Sequence, residues 1–184
     1  MTILEFTGAD IQDEAGISRA INTVGKSLQQ PLVVITGAIG QTAEKLQEAG
    51  KKSAKQDLVF ASTLAEGLRT YHIQLAQQVA SDFLWKETKK LLSALFEELT
   101  HLLEGLYLLG ELSPQGQNII ASYGDRASVI ILSQALKGNG IAVQPFAQQE
   151  TFFATNSLPA EVAKAIEDGS IAVVPLSLRR IISP

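Results

Sequence analysis

The sequence of 184 residues contains no cysteine and only two histidines. The missing cysteines exclude disulfide bonds, metal sites built from thiolates and a cysteine nucleophile. A site in which several histidines hold a metal is not expected from two of them. The absence of cysteine, together with an N-terminus that does not read as a signal peptide, predicts a cytoplasmic protein without a bound metal.

Basic charge and long apolar runs are also scarce. The chain has 15 Lys and Arg against 19 Asp and Glu, for a net charge of −4. Nucleic-acid-binding domains cluster their basic residues, whereas here the pairs at 51–52 and 89–90 are expected on solvated helix faces. No apolar run reaches the roughly 18–20 residues that cross a bilayer. The sequence therefore predicts neither nucleic acid nor a membrane as a partner.

What the chain does contain is an alternation of short apolar runs with amphipathic segments, within a composition that is 46% hydrophobic. The continuous run at 32–35 is typical of a strand buried on both faces of a parallel sheet. The alternation predicts an α/β fold with a mostly parallel sheet between helices. The predicted strands are 2–6, 32–35, 119–121, 141–143 and 171–175, with a possible edge strand at 150–154. The predicted helices between them are 11–29, 41–49 with Gly50 as C-cap, and 159–166.

The middle of the chain is helical throughout. Residues 55–80 and 83–109 both keep apolar positions at helical spacing, and Ser81-Asp82 between them is a plausible N-cap. Two long helices joined in this way predict a helical hairpin over 55–109. Its leucines form a stripe that faces either the core or a partner. No linker divides the sequence, so residues 1–184 are expected to form one domain.

A glycine-containing segment at 122–128, SYGDRAS, falls between the predicted strand 119–121 and a following apolar helix. A helix start collects free backbone N–H groups and the positive end of the helix dipole. In open α/β sheets, ligands bind where strands end in such turns. Asp125 and Ser128 are thus expected in the first helical turn, where they either cap the helix or hold a ligand.

Several of these segments, in this order, resemble the aspartate kinases. Residues 110–113 (GELS) and 122–128 resemble the family's "SFGERLS" region, and 36–42 (TGAIGQT) resembles its "SAxxGxT" turn. Residues 72–76 (HIQLA) resemble the helix start after that turn, and 4–10 (LEFTGAD) stand where the family has its "KFGGTS" phosphate loop. The resemblance implies the amino-acid kinase fold, a three-layer αβα sandwich, whose members transfer the ATP γ-phosphoryl group to the aspartate side chain.

The resemblance also implies a set of substrate-binding residues. Thr42 matches the threonine that contacts the substrate amino acid in the family, although a threonine at a helix start serves equally well to cap the helix. Asp125 and Ser128 match the carboxylate and the last serine of the second motif. These three residues are therefore expected to line a pocket for a small amino acid such as aspartate. No nucleotide-binding residue is assigned.

The phosphate loop is where the chain departs from the family. Glu5 replaces the phosphate-binding lysine, and of the two loop glycines only Gly8 remains. Asp10 adds a negative charge, and we expect it to cap the helix 11–29. Glu5 is expected to face solvent at the end of the strand. Because phosphoryl transfer depends on stabilising negative charge, these changes predict a domain without catalytic residues.

The favoured hypothesis is thus a degenerate aspartokinase-like protein, without a cofactor, that lacks the nucleotide-binding half and acts by binding or protein association. Its expected partner is a second copy of itself or another protein chain. One alternative is a working aspartate kinase that uses ATP and Mg²⁺ and is completed by another chain. The other is an unrelated small α/β binding module.

Overall fold

A parallel sheet of four strands lies at the centre of the part of the chain that the computed structural model describes, residues 1–147 and 160–178. The strands are β1 (Thr2–Phe6), β2 (Leu32–Thr36), β3 (Val143–Pro145) and β4 (Ile171–Pro175). The helices are α1 (Glu14–Lys26), α2 (Thr42–Ala54), α3 (Leu58–Val79), α4 (Asp82–Leu109), α5 (Pro114–Gly138) and α6 (Ala160–Glu167), and a 3₁₀ turn follows β4 at Leu176–Leu178. The predicted α/β fold with a parallel sheet is confirmed.

The strand order is β1-β2-β4-β3, with every neighbouring pair parallel. Strands β2 and β4 occupy the centre, and all five residues of each are buried. Burial on both faces explains why both strands were recognisable as continuous apolar runs. The predicted strands 2–6, 32–35 and 171–175 are confirmed, whereas the strand expected at 141–143 lies at β3.

The two faces of the sheet carry separate cores. Val34 and Val173 point into the larger core, which the sheet shares with the long helices. Their neighbours Val33 and Ala172 point to the opposite face, where they pack with residues of α6. This alternation places helices on both faces of the sheet, as an αβα sandwich requires.

The long helices α3 and α4 pack against each other and against α2. Ser81 is the N-cap of α4, as expected, and Gly110 ends this helix in the left-handed conformation with φ of 72°. Glycine reaches this backbone conformation without strain, which makes it a common helix terminator. No helix within the described ranges is both long and apolar enough to cross a membrane.

The strand predicted at 119–121 and the turn predicted at 122–128 are wrong. Residues Pro114–Gly138 form one continuous helix, which begins where the Ser113 hydroxyl accepts a hydrogen bond from the Gly116 N–H at 3.0 Å. The glycine at 124 was read as a turn residue, but it serves close packing. A Cβ at this position would lie 2.7 Å from the Ala38 Cβ. Asp125 and Ser128 consequently lie in the middle of α5 and not at a helix start.

Two predicted helix ends also differ from the structure. Helix α1 begins at Glu14 with Asp13 as its N-cap, so Asp10 does not cap it. Helix α2 continues to Ala54, and Gly50 within it packs against α5, where a Cβ would lie 2.5 Å from Ile120 Cδ1. The helix predicted at 159–166 is α6. The possible edge strand at 150–154 lies outside the described residues.

Candidate functional site

The loops after β1 and β2 are joined at the edge of the sheet where the strands end, which we call the carboxyl edge. The Gly37 N–H donates to the Phe6 carbonyl and the Gly40 N–H donates to the Gly8 carbonyl, each at 3.1 Å. A Cβ on Gly8 would overlap the Ala38 carbonyl oxygen, so only glycine allows this approach. In parallel α/β sheets this edge is where ligands bind.

Asp125 reaches the carboxyl edge from α5. Its carboxylate lies beside the backbone N–H groups of Ala38, in the loop after β2, and Ser177, in the turn after β4, and both favour its ionised form. Gly124 makes this possible, because its missing side chain lets α5 approach Ala38 and the start of α2. The carboxylate therefore connects the loops that follow both central strands of the sheet.

Burial raises the pKa of Asp125 to about 6, and the N–H groups of Ala38 and Ser177 only partly oppose this. The ionised carboxylate is thus less favourable in the folded protein than in water. Titratable groups that a fold holds in such an unfavourable state are concentrated at functional sites. Among the described residues, no group of three His, Cys, Asp or Glu side chains is placed to hold a metal ion.

Thr42 is the first residue of α2 and is only 1% exposed. Its hydroxyl donates to the Ile39 carbonyl at 2.5 Å, and its Oγ1 lies 3.5 Å from Nε2 of His72. The single hydroxyl proton is therefore used within the loop that leads into the helix. The N-cap of α2 is Gln41, without a side-chain cap, so the Thr42 hydroxyl does not cap the helix. Thr42 lies close to Gly124 and Ala38.

His72, which the resemblance places near a helix start, lies well inside α3 and is a buried neighbour of Thr42. Burial lowers its pKa to about 4, so the imidazole is neutral at physiological pH. Its Nδ1 lies 2.7 Å from the Leu68 carbonyl, which can only accept, so Nδ1 carries the proton. Nε2 is left as an acceptor facing the Thr42 hydroxyl. No local pattern could identify this pair, because 30 residues separate its members.

Ser128 is fully buried, and its hydroxyl donates to the backbone carbonyl of Asp125 at 2.8 Å. This bond lies within α5, three residues along the same helix. The structure thus brings Thr42 and Asp125 together around Gly124. It places the Ser128 hydroxyl against the backbone of its own helix.

A cavity of about 440 Å³ lies beside the start of α2, and we call it the α2 cavity. Thr42, Lys45 and Tyr71 are among its lining residues. The Tyr71 hydroxyl donates to the Gln12 carbonyl at 2.7 Å, which ties α3 to the loop before α1. The cavity has the size of sites that hold small molecules, and Lys45 supplies it with a cation.

The loop after β1, where the resemblance places a phosphate site, is filled by the chain's own carboxylates. Asp10 accepts from the Thr7 N–H at 2.8 Å and from the Thr7 hydroxyl at 2.7 Å, and these bonds lower the pKa of Asp10. Asp13 accepts from the Gly16 N–H at 2.7 Å at the start of α1. Glu5 is exposed on β1, as expected. The Thr7 N–H and hydroxyl, which an anion in this loop would otherwise meet, already have the Asp10 carboxylate as their acceptor.

Comparison with known proteins finds similarity to aspartokinases. No protein-family model matches the chain. Aspartokinase 1, chloroplastic, of Arabidopsis thaliana is 21% identical over 155 residues, which are 83% of this chain and 26% of that protein. E. coli aspartokinase III, solved with lysine and aspartate in its T-state, superposes with a TM-score of 0.74 at 13% identity. Its R-state structure with aspartate and ADP superposes with a TM-score of 0.69 at 14% identity.

Both superpositions cover 94% of this chain and 40% of the aspartokinase III chain. The chain therefore spans about a quarter of the plant relative and two fifths of the bacterial one. At such low sequence identity the structural similarity shows a shared fold and does not show a shared activity. The protein has an aspartokinase-like fold.

Proposed function

We propose that this protein is an aspartokinase-like binding domain that does not transfer phosphate. It acts by holding a small amino acid at the carboxyl edge and by associating with protein. The observation that carries the proposal is the pair of carboxylates in the loop after β1. Asp10 accepts from the Thr7 N–H within that loop, and Asp13 accepts from the Gly16 N–H at the start of α1.

Phosphate loops work by offering backbone N–H groups and cations to an anion. Here the Thr7 and Gly16 N–H groups are bonded to carboxylates of the chain, and these carboxylates also repel an approaching phosphate. Two like charges about 4 Å apart in water-like surroundings repel by about 1 kcal/mol, and a nucleotide meets more than one such charge. Glu5, at the position where the resemblance expects a lysine, has the same sign. Nucleotide binding at this loop is therefore disfavoured both by charge and by hydrogen bonding.

The carboxyl edge is better suited to a small amino acid. Asp125 offers a carboxylate to a ligand ammonium group, and Lys45 offers a cation to a ligand carboxylate in the α2 cavity. E. coli aspartokinase III was solved with aspartate in both states. We extend this ligand class to the present chain, with Thr42 and Asp125 near the ligand and Ser128 supporting Asp125 from within α5.

A working aspartate kinase is the second candidate, and the raised pKa of Asp125 favours it. A carboxylate with a pKa of about 6 exchanges protons near neutral pH, which suits acid–base chemistry or the binding of a charged substrate. In this case ATP and Mg²⁺ would be held together with another chain. The two candidates predict opposite outcomes in the same assay.

The test is a coupled assay of ADP release with L-aspartate and Mg-ATP, paired with calorimetric titration of each ligand. We expect no turnover, no measurable heat with ATP, and weak but measurable binding of aspartate. Thr42→Ala and Thr42→Ser provide the matched pair, because serine keeps the hydroxyl that alanine removes. Turnover that Thr42→Ala abolishes and Thr42→Ser retains would contradict the binding domain and establish the kinase.

Association with a second copy is proposed from exposed apolar side chains at one end of the helical pair. Gln56 Nε2 donates to the Tyr107 carbonyl, which places the start of α3 beside the end of α4. Val59, Leu108 and Leu109 in this region are 81%, 81% and 72% exposed. Apolar surface of this kind is commonly covered by a partner. Light scattering should report a dimer, and a monomer at high concentration would contradict this part of the proposal.

A further inference from the structure

A second cavity, of about 240 Å³, lies between α4, α5 and the segment after β3, and we call it the α4–α5 cavity. Its lining residues differ from those of the α2 cavity. Leu91, Leu95 and Ile130 contribute aliphatic walls. Its polar and charged lining residues are Glu98, Arg126, Ser133 and Gln134. Its volume is below the range of about 300–1,000 Å³ that drug-sized ligands occupy, so a smaller molecule fits.

Three of these polar residues each carry a buried atom that has no hydrogen-bond partner among the described residues. The atoms are Arg126 Nη1, Ser133 Oγ and Gln134 Oε1. The residues are 7%, 1% and 2% exposed. Native proteins pair nearly all buried polar groups, so three unpaired atoms on residues that line one cavity call for a cause. A ligand in the cavity would supply the missing partners.

Arg126 is held in place by its other contacts. Its Nε donates to the Ala147 carbonyl at 2.7 Å and its Nη2 donates to Glu98 Oε2 at 2.9 Å. The guanidinium also lies over the Tyr123 ring, 4.7 Å from the ring centre. These contacts hold the guanidinium in place without a ligand, and they leave Nη1 as the donor atom without a partner. A guanidinium anchored in this way loses little freedom when it binds a carboxylate.

The unpaired atoms define the ligand that would satisfy them. Arg126 Nη1 requires an acceptor, Gln134 Oε1 requires a donor, and the Ser133 hydroxyl can serve as either. Arg126 and Glu98 also give the cavity one positive and one negative side chain. A molecule with a carboxylate, an ammonium group and an aliphatic body matches the donors, the acceptors, the charges and the walls together.

We propose that the α4–α5 cavity binds the zwitterion of a small aliphatic α-amino acid. Its carboxylate meets Arg126 and Ser133, its ammonium group meets Gln134 and Glu98, and its side chain packs on the aliphatic walls. This site is independent of the carboxyl edge, so the protein would hold two ligands at once.

Calorimetric titration of the full chain with L-leucine is the primary test. Isovalerate, which lacks the ammonium group, and isoamylamine, which lacks the carboxylate, are the comparison ligands. We expect L-leucine to bind and each comparison ligand to bind at least about tenfold more weakly, because each forfeits charged hydrogen bonds. Absence of L-leucine binding, or equal binding of isovalerate, would overturn the proposal.

Three variants locate the binding. Ser133→Ala should weaken L-leucine binding about three- to tenfold, as expected for one lost hydrogen bond, without lowering the stability of the free protein. Ser122→Ala is its matched control on the same helix, since the Ser122 hydroxyl already donates to the Ile119 carbonyl at 2.6 Å. Ala94→Phe, at an exposed position of α4 that lines the cavity, should block binding without altering the buried core.

The same titrations separate this site from the carboxyl edge. Thr42→Ala should leave L-leucine affinity unchanged, whatever it does to aspartate. Unchanged L-leucine affinity in both Ser133→Ala and Ala94→Phe would refute the placement of the ligand in the α4–α5 cavity.

Discussion

Asp125→Asn tests whether the central carboxylate of the candidate site is held at a cost to stability. Burial raises its pKa to about 6, whereas an aspartate in an unfolded chain has a pKa near 3.9. Between these two values the folded protein binds more protons at this position than the unfolded chain does. The contribution of Asp125 to the free energy of unfolding therefore decreases as the pH rises from about 4 to above 6.

The size of the effect follows from the two pKa values. They differ by about two, and each unit corresponds to about 1.4 kcal/mol, so ionisation of Asp125 lowers the stability by about 3 kcal/mol at pH 7 and above. Asparagine cannot ionise, so the variant lacks this loss. Its amide also changes the interactions with the N–H groups of Ala38 and Ser177, but that contribution is nearly the same at every pH. We expect the stability of the variant minus that of the wild type to increase by about 3 kcal/mol between pH 4 and pH 7.5.

Urea unfolding followed by far-UV circular dichroism, repeated across this pH range for both proteins, measures the difference directly. Titration of His72 affects both proteins alike and cancels. Ser128→Ala is the control, because it perturbs the same part of α5 without removing a titratable group, and its difference from wild type should not vary with pH. A pH-independent difference for Asp125→Asn would refute the reasoning that burial dominates at this carboxylate.

Four further variants test the surroundings of the site. The lowered pKa of His72, about 4, makes the free energy of unfolding of the wild type decrease by about 3 kcal/mol as the pH falls from about 6.5 towards 4. His72→Leu should remove most of this decrease. A decrease as large as that of the wild type, measured by urea unfolding, would contradict the prediction. Gly124→Ala should destabilise the fold by about 1–3 kcal/mol, because its Cβ would lie 2.7 Å from the Ala38 Cβ. Gly67→Ala, with no atom within 4 Å of the new Cβ, should instead raise the melting temperature, and similar shifts for both glycines would contradict the packing argument. Asp13→Ala should cost about 1 kcal/mol through the lost cap of α1, measured by urea unfolding, and no loss of stability would disprove the cap.

Local patterns were sufficient for elements whose environment is uniform along their length. The central strands β2 and β4 are buried on both faces, and their unbroken apolar runs predicted them. The long helices α3 and α4 have one buried side each, and their apolar spacing predicted both to within a few residues. The same reasoning was incomplete for α5: it predicted the apolar helix that follows residue 128, but it read 119–121 as a strand and 122–128 as a turn of what is one helix.

The candidate site depended much less on local pattern. The motif comparison singled out Thr42, Asp125 and Ser128, but it placed the last two at a helix start. The glycine that was read as a turn residue instead lets α5 approach the loop after β2. Asp10 was expected to cap α1, yet it bonds to Thr7 and leaves the cap to Asp13. In each case the residue type indicated that the position had a structural role, but the group that it contacts could not be predicted from the sequence.

The sequence by itself determined the parallel α/β class, the buried central strands, the long helical segments and an acidic loop after β1. It did so because hydrophobic periodicity and charge act through neighbours along the chain. Only the tertiary structure decided that Asp125 meets the ends of β2 and β4, that His72 faces Thr42, and that Arg126, Ser133 and Gln134 surround one cavity. Contacts at the carboxyl edge join residues far apart in the chain, and their geometry depends on how closely α5 packs on the rest of the fold. The raised pKa of Asp125 is a property of that packing, and no local pattern encodes it.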